Sequence, residues 1–175
     1  MTFLRRLVVS LLILLLLLLA AGLFLPKTAH VERSVVINAP AETIFPLIAD
    51  FKAWERWSPW YGIDPDTVYT YEGSGLGART SWTSEERSVG SGSQEITAIN
   101  PPNSMNTALD FGAEGPAQAY FTLAPEGSGT RVTWGFDTDF TNSYIGRYFG
   151  LVLDRMLGGP YETGLANLKK LAESS

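Results

Sequence analysis

The 175-residue chain contains no cysteine and a single histidine, His30. Disulfides, thiol nucleophiles and cysteine-borne lipid anchors are therefore excluded, and neither a Cys–His dyad nor a His-rich metal site can be assembled. A general base needs a pocket and an orienting partner; His30, just after an apolar run and before the first expected strand, is assigned neither. No acidic run has the spacing of a calcium loop, since Asp64-Pro65-Asp66 is too short a match. Gly73-Ser74-Gly75-Leu76-Gly77 is rich in glycine but lacks a lysine and lies between two expected strands, so it reads as a loop rather than a phosphate cradle. No metal and no cofactor is expected.

Positive charge is also scarce. Apart from Arg5 and Arg6 the chain has 11 basic residues, against 18 acidic ones that all lie beyond residue 27, a net of −7 for that part. Phosphate backbones require clustered Lys and Arg, so nucleic acid is excluded as a partner. The same balance argues against a domain held to anionic headgroups by charge.

One long apolar run is present, from Leu7 to Leu25, interrupted only by Ser10, Gly22 and Phe24 among aliphatic residues. A bilayer core about 30 Å thick needs roughly 20 apolar residues in a helix. A removable signal peptide is the competing reading, with Ala20-Ala21-Gly22 as its cleavage site. Its apolar region is normally about 7–15 residues long, however, and Leu23-Phe24-Leu25 continue past that site. The expectation is an uncleaved anchor over residues 1–26, a linker over 27–30 and one domain over 31–175. With Arg5 and Arg6 before the span, the N-terminus is expected in the cytoplasm and the domain on the outer face of a bacterial inner membrane.

The domain is long enough for one core. Val31 to Ile37 ends in a β-branched run and reads as a strand. Pro40 is expected at the first position of a helix that Pro46 kinks or shortens. Phe51, Trp54 and Trp57 mark a second short helix at three-residue spacing. Six further strands are expected over 67–72, 78–84, 92–100, 105–111, 117–124 and 130–137, separated by Gly, Pro and Asn turns. Leu157, Tyr161, Leu165, Leu168 and Leu171 form the stripe of a closing helix. Gly158-Gly159-Pro160 is expected to interrupt or bend it, leaving 144–157 as a separate upstream segment. The result is an α+β domain whose sheet is covered by the last helix.

Val31–Glu42 and Trp54-Glu55-Arg56-Trp57-Ser58-Pro59-Trp60 resemble the opening of the START-like (SRPBCC, polyketide cyclase/dehydrase) superfamily. The 127–134 hairpin and Leu157-Gly158-Gly159-Pro160-Tyr161 onward resemble its close. The resemblance implies a helix-grip fold, a curved antiparallel sheet around a long C-terminal helix with a cavity between. It implies a small hydrophobic ligand, lipid-, sterol- or polyketide-like, and in some members cyclisation or ring cleavage.

Aromatic residues are the candidates for a cavity wall, since ligand pockets are mostly apolar with few polar groups. The assigned lining is Trp57, Trp60, Trp82, Phe111, Phe121, Trp134, Phe136, Leu157 and Tyr161. No catalytic residue is assigned. Asp110 is out of phase with Leu109 and Phe111 and should point outward, and Arg79, Glu95 and Arg131 face inward only if the register slips by one residue. The expected function is a membrane-tethered binding or carrier module for a small hydrophobic ligand. A cyclase- or hydrolase-type enzyme using the same cavity, or a protein-interaction module at the membrane, are the alternatives.

Overall fold

A computed structural model describes residues 2–112 and 115–174, with the side chain of Thr2 excepted. Helix α1 (Thr2–Phe24) is the apolar run; it stands away from the rest, exposed along nearly all its length, and is long and apolar enough to cross a membrane. Strand β1 (Thr28–Ile37) follows after three residues. The expected linker at 27–30 is thus mostly strand. Thr28, Ala29 and His30 pair with Asp139, Thr138 and Asp137, extending the ladder to the point where the chain leaves the apolar helix.

Helix α2 (Ala41–Ala49) runs through Pro46 but ends after nine residues, and Pro40 is its N-cap rather than its first turn. The last carbonyls of a helix have no partner within it. Here the indoles that follow supply donors: Trp54 Nε1 donates to Ile48 O at 2.7 Å and Trp57 Nε1 to Leu47 O at 2.9 Å. Trp54 stands on the first of two 3₁₀ segments, Phe51–Arg56, and Trp57 caps its end; the second segment covers Pro59–Gly62. Three residues per turn aligns Phe51, Trp54 and Trp57 on one side, and all three are buried.

Six strands follow, β2 (Val68–Glu72), β3 (Arg79–Thr83), β4 (Ser91–Asn100), β5 (Ser104–Asp110), β6 (Pro116–Glu126) and β7 (Gly129–Asp139). They form with β1 one antiparallel sheet in the order β1-β7-β6-β5-β4-β3-β2. A bulge between Ile96 and Ala98 lets β4 bend against β5. The inward phase carries Ile96, Met105, Phe121, Leu123, Val132 and Trp134, and these meet α2 and the last helix in one core. Arg79 and Glu95 are cross-strand partners on the opposite face and form an exposed ion pair, as do Arg131 and Glu126; Asp110 is exposed. Register therefore points these charges away from the core.

Helix α3 (Tyr144–Glu173) is continuous for 30 residues, contrary to the break expected at Gly158-Gly159-Pro160. A clamp from the sheet crosses this point. Arg33 on β1 lies against Gly158 so closely that a Cβ there would sit 2.2 Å from its Nη2. Its guanidinium binds Asp154 (Nη1–Oδ1, 2.9 Å) one turn before and Glu162 (Nε–Oε1, 2.9 Å) one turn after. A single arginine thus bridges the weak point, and its pKa is raised first by the hydrogen bond to Asp154 and then by that to Glu162.

Candidate ligand-binding cavity

Between the inner face of the sheet and α3 lies a cavity of about 250 Å³. Its wall is assembled from distant parts of the chain. Trp54, Ser58, Trp60 and Tyr61 come from the 3₁₀ segments, Leu157 and Tyr161 from α3, and the remainder from β2 to β7 and two loops. Alternation along each strand selects them: Thr80 and Trp82 on β3, Gln94 on β4, Ala119 on β6, Trp134 and Phe136 on β7.

Trp134 is the hub. Its ring stacks on Tyr161 at 4.0 Å and on Phe121 at 5.0 Å, and Trp60 meets it edge-on at 5.6 Å. Helix α3 can approach this closely only because residue 164 is glycine; a Cβ there would fall 2.9 Å from the Trp134 ring. Trp82 likewise lies over its cross-strand neighbour Gly92, where a Cβ would sit 2.6 Å from the indole.

Of the nine residues assigned to the wall from sequence, Trp60, Trp82, Phe111, Trp134, Phe136, Leu157 and Tyr161 line the cavity. Trp57 and Phe121 do not. Trp57 (1 % exposed) packs edge-on against both Phe121 and Trp134, and Phe121 (1 %) itself stacks on Trp134, so both form the layer behind the wall. Residues absent from that assignment include Thr80, Gln94 and Ala119, all in the cavity lining. Thr80 shares the phase of Trp82, and Gln94 that of buried Ile96, so strand periodicity held the signal even though the residues are small or polar.

Among the described residues the lining contains no Asp, Glu, Lys, Arg or His. Its titratable groups are tyrosines held protonated: burial pushes Tyr61 up to about 12 and also raises Tyr69 and Tyr161. One polar atom of the lining, Trp134 Nε1, is buried without a hydrogen-bond partner among the described residues, while Gln94 Nε2 donates to Thr107 Oγ1 at 2.8 Å. His30 lies outside, on the opposite face of the sheet, with Nδ1 2.8 Å from Asp137 Oδ1. No cluster of metal-ligating side chains occurs among the described residues.

Part of the cavity lining lies at one defined end of the sheet. Ser88 and Val89 in the β3–β4 loop and Phe111 beyond β5 lie at the end of the sheet where β1 begins and β7 ends. That is the end from which α1 departs.

The fold recurs among solved structures of low sequence identity. A protein from Staphylococcus aureus described as of unknown function matches with a TM-score of 0.64 at 9 % identity, over 85 % of this chain and 95 % of that one. A truncated norcoclaurine synthase from Thalictrum flavum matches at 0.66 and 10 % identity, again over 85 % and 95 %. A Thermobifida fusca protein matches at 0.61 and 18 % identity, over 83 % and 93 %. No curated protein sequence matches the chain. The model of one family, described as polyketide cyclase / dehydrase and lipid transport, matches residues 28–173, all seven strands and both helices of the domain. A helix-grip sheet around a long terminal helix, an aromatic-lined cavity and that match together place the chain in the polyketide cyclase/dehydrase and lipid transport family of START-like proteins.

Proposed function

We propose that this protein is a binding or carrier module for a small hydrophobic molecule, held at a membrane by α1. The observation that carries the reading is the uncharged, aromatic-lined cavity of about 250 Å³. Drug-sized ligands occupy pockets of about 300–1,000 Å³, whereas an apolar cavity of about 150 Å³ takes up benzene. The cavity therefore suits a molecule of one or two rings and is too small to enclose a two-chain phospholipid. An unmet buried polar group costs about 1–3 kcal/mol. The unpaired donor on Trp134 thus favours a ligand that carries a hydrogen-bond acceptor on its apolar body.

An enzymatic role is the weaker reading. Acid–base catalysis requires a group whose pKa lies near the working pH, and raised tyrosines are the only ionisable groups in the described lining. A carrier benefits from α1 because hydrophobic ligands concentrate in lipid, and with the chain oriented by Arg5 and Arg6 the domain stands on the outer face.

Thermal denaturation of the full chain in nanodiscs, with benzene, naphthalene, phenol and 2-naphthol as probes, tests the reading. The two-ring phenol should raise the midpoint most. If none of the four shifts it, and native mass spectrometry finds no co-purified small molecule, the reading fails.

A further inference from the structure

Within α3 the exposed side changes character halfway along. From Gly159 onward the solvent-facing residues are Gly159, Glu162, Thr163, Ala166, Lys170 and Glu173, an ordinary wet surface. Before it, Ile145 (83 % exposed), Phe149 (45 %), Val152 (46 %) and Met156 (51 %) recur at i, i+4, i+7 and i+11, one stripe of a 3.6-residue helix. Only Asp154 and Arg155 are charged among the exposed residues of that half, and Asp154 is engaged by Arg33. The buried face of α3, with Leu153 and Tyr161, points elsewhere, into the core.

This apolar half is joined to α1. The rings of Tyr144 and Tyr148 close on Gly22, where a Cβ would sit 2.5 Å from the Tyr144 ring. Their hydroxyls donate to Leu19 O and Leu18 O respectively. Arg147, 9 % exposed, donates from Nη1 to Gly22 O at 3.2 Å, one of the carbonyls that the end of α1 leaves unpaired. Leu18 lies seven residues before Leu25, roughly 10 Å along the axis at 1.5 Å per residue. Counted from the end of the span, Gly22 to Leu18 thus lie about 4–10 Å below the membrane surface, at about the 5–10 Å depth to which amphipathic helices bury an apolar face.

We propose that the first half of α3, residues 144–156, lies in the membrane interface, with Ile145, Phe149, Val152 and Met156 inserted among the acyl chains. The inference rests on α1 being a membrane span. Insertion is apolar, not electrostatic, which agrees with the domain's net negative charge and makes neutral lipid sufficient. Leu157, the residue after Met156, lines the cavity, so the inserted half ends at the cavity wall.

The absence of cysteine makes the test direct. Single cysteines replacing Ile145, Phe149, Val152 and Met156 are labelled with an environment-sensitive fluorophore in the full chain, reconstituted in phosphatidylcholine nanodiscs. Cysteines replacing Ser128, on the hairpin at the far end of the sheet, and Leu14, in the middle of α1, serve as references. Quenching by lipids bearing a nitroxide at a shallow acyl position should be several-fold stronger at the four stripe positions than at 128, and deep-labelled lipid should quench 14. Quenching at 14 with stripe positions that behave like 128 overturns the inference and leaves the anchor intact. An unquenched position 14 overturns the anchor itself and the inference with it. Stripe probes that shift to the blue but ignore quencher lipid are covered by a second copy of the chain, which also overturns it.

Discussion

Ala119 is the position at which the cavity can be filled with least disturbance. It is 3 % exposed, faces inward on β6 and pairs across the sheet with Phe136, another wall residue. Ala119→Leu places three more carbons in the cavity of about 250 Å³. Each buried methylene is worth about 0.8 kcal/mol, an upper limit of about 2.4 kcal/mol for perfect packing. Cavity-filling substitutions deliver about 0.5–2 kcal/mol in practice. For a domain of this size each kcal/mol moves the midpoint by about 2–4 °C, so the ligand-free variant should melt about 1–8 °C above wild type. Ligand should tell the two proteins apart. At a hundredfold excess over Kd it stabilises the wild type by about 2.7 kcal/mol, or about 5–10 °C, and it should no longer stabilise the filled variant. Differential scanning calorimetry of both proteins, with and without 2-naphthol in nanodiscs, reads all four values. A variant less stable than wild type would show that this space is already packed, since forcing methylenes into a full core costs about 1–3 kcal/mol. A variant that still gains from ligand would place the ligand elsewhere.

Arg147 donates to Phe140 O at 3.3 Å, Thr141 O at 2.8 Å and Gly22 O at 3.2 Å. Charged hydrogen bonds are worth about 1.5–3 kcal/mol each before the cost of burying the cation is subtracted, so Arg147→Met should cost about 2–4 kcal/mol, with Arg147→Lys little better because an ammonium cannot span three carbonyls; an unchanged midpoint in nanodiscs would refute this. Arg33→Met should speed hydrogen–deuterium exchange at the amides of Gly158, Gly159 and Tyr161 while leaving the rest of α3 protected, and unaltered exchange there would mean that the helix needs no clamp. Tyr61, Tyr69 and Tyr161 keep their protons in the folded state after the unfolded chain begins to lose them near pH 10, so stability should be level below that pH and fall above it, by up to about 1.4 kcal/mol per pH unit per tyrosine. Midpoints that are flat or rising from pH 10 to 11.5, or an absorbance titration of Tyr61 complete near pH 10, would contradict that assignment.

The pattern in the chain by itself was enough for the elements and their order. Alternation in β5 to β7 and the stripe Leu157–Leu171 are local signals, set by side chains within a few residues of one another, and the ladders and α3 follow them. The anchor-length run needed only composition and length. Most of the cavity wall was legible for the same reason: large aromatics in phase with a buried face, such as Trp82 and Trp134, have to lie on that face. What the chain alone left undecided were matters of depth and of partners distant in sequence. Trp57 and Phe121 carry the same inward signal as Trp134, but only the stacking of the layers puts them behind it. Gly158-Gly159-Pro160 is a helix breaker by local propensity, yet the helix runs through it where an arginine 125 residues earlier reaches across from β1. The apolar half of α3 reads as one more amphipathic helix until Gly22 is found beneath Tyr144 and Tyr148. Periodicity tells which face of an element is apolar; what that face meets depends on contacts between residues far apart in the chain, and those exist only once it has folded.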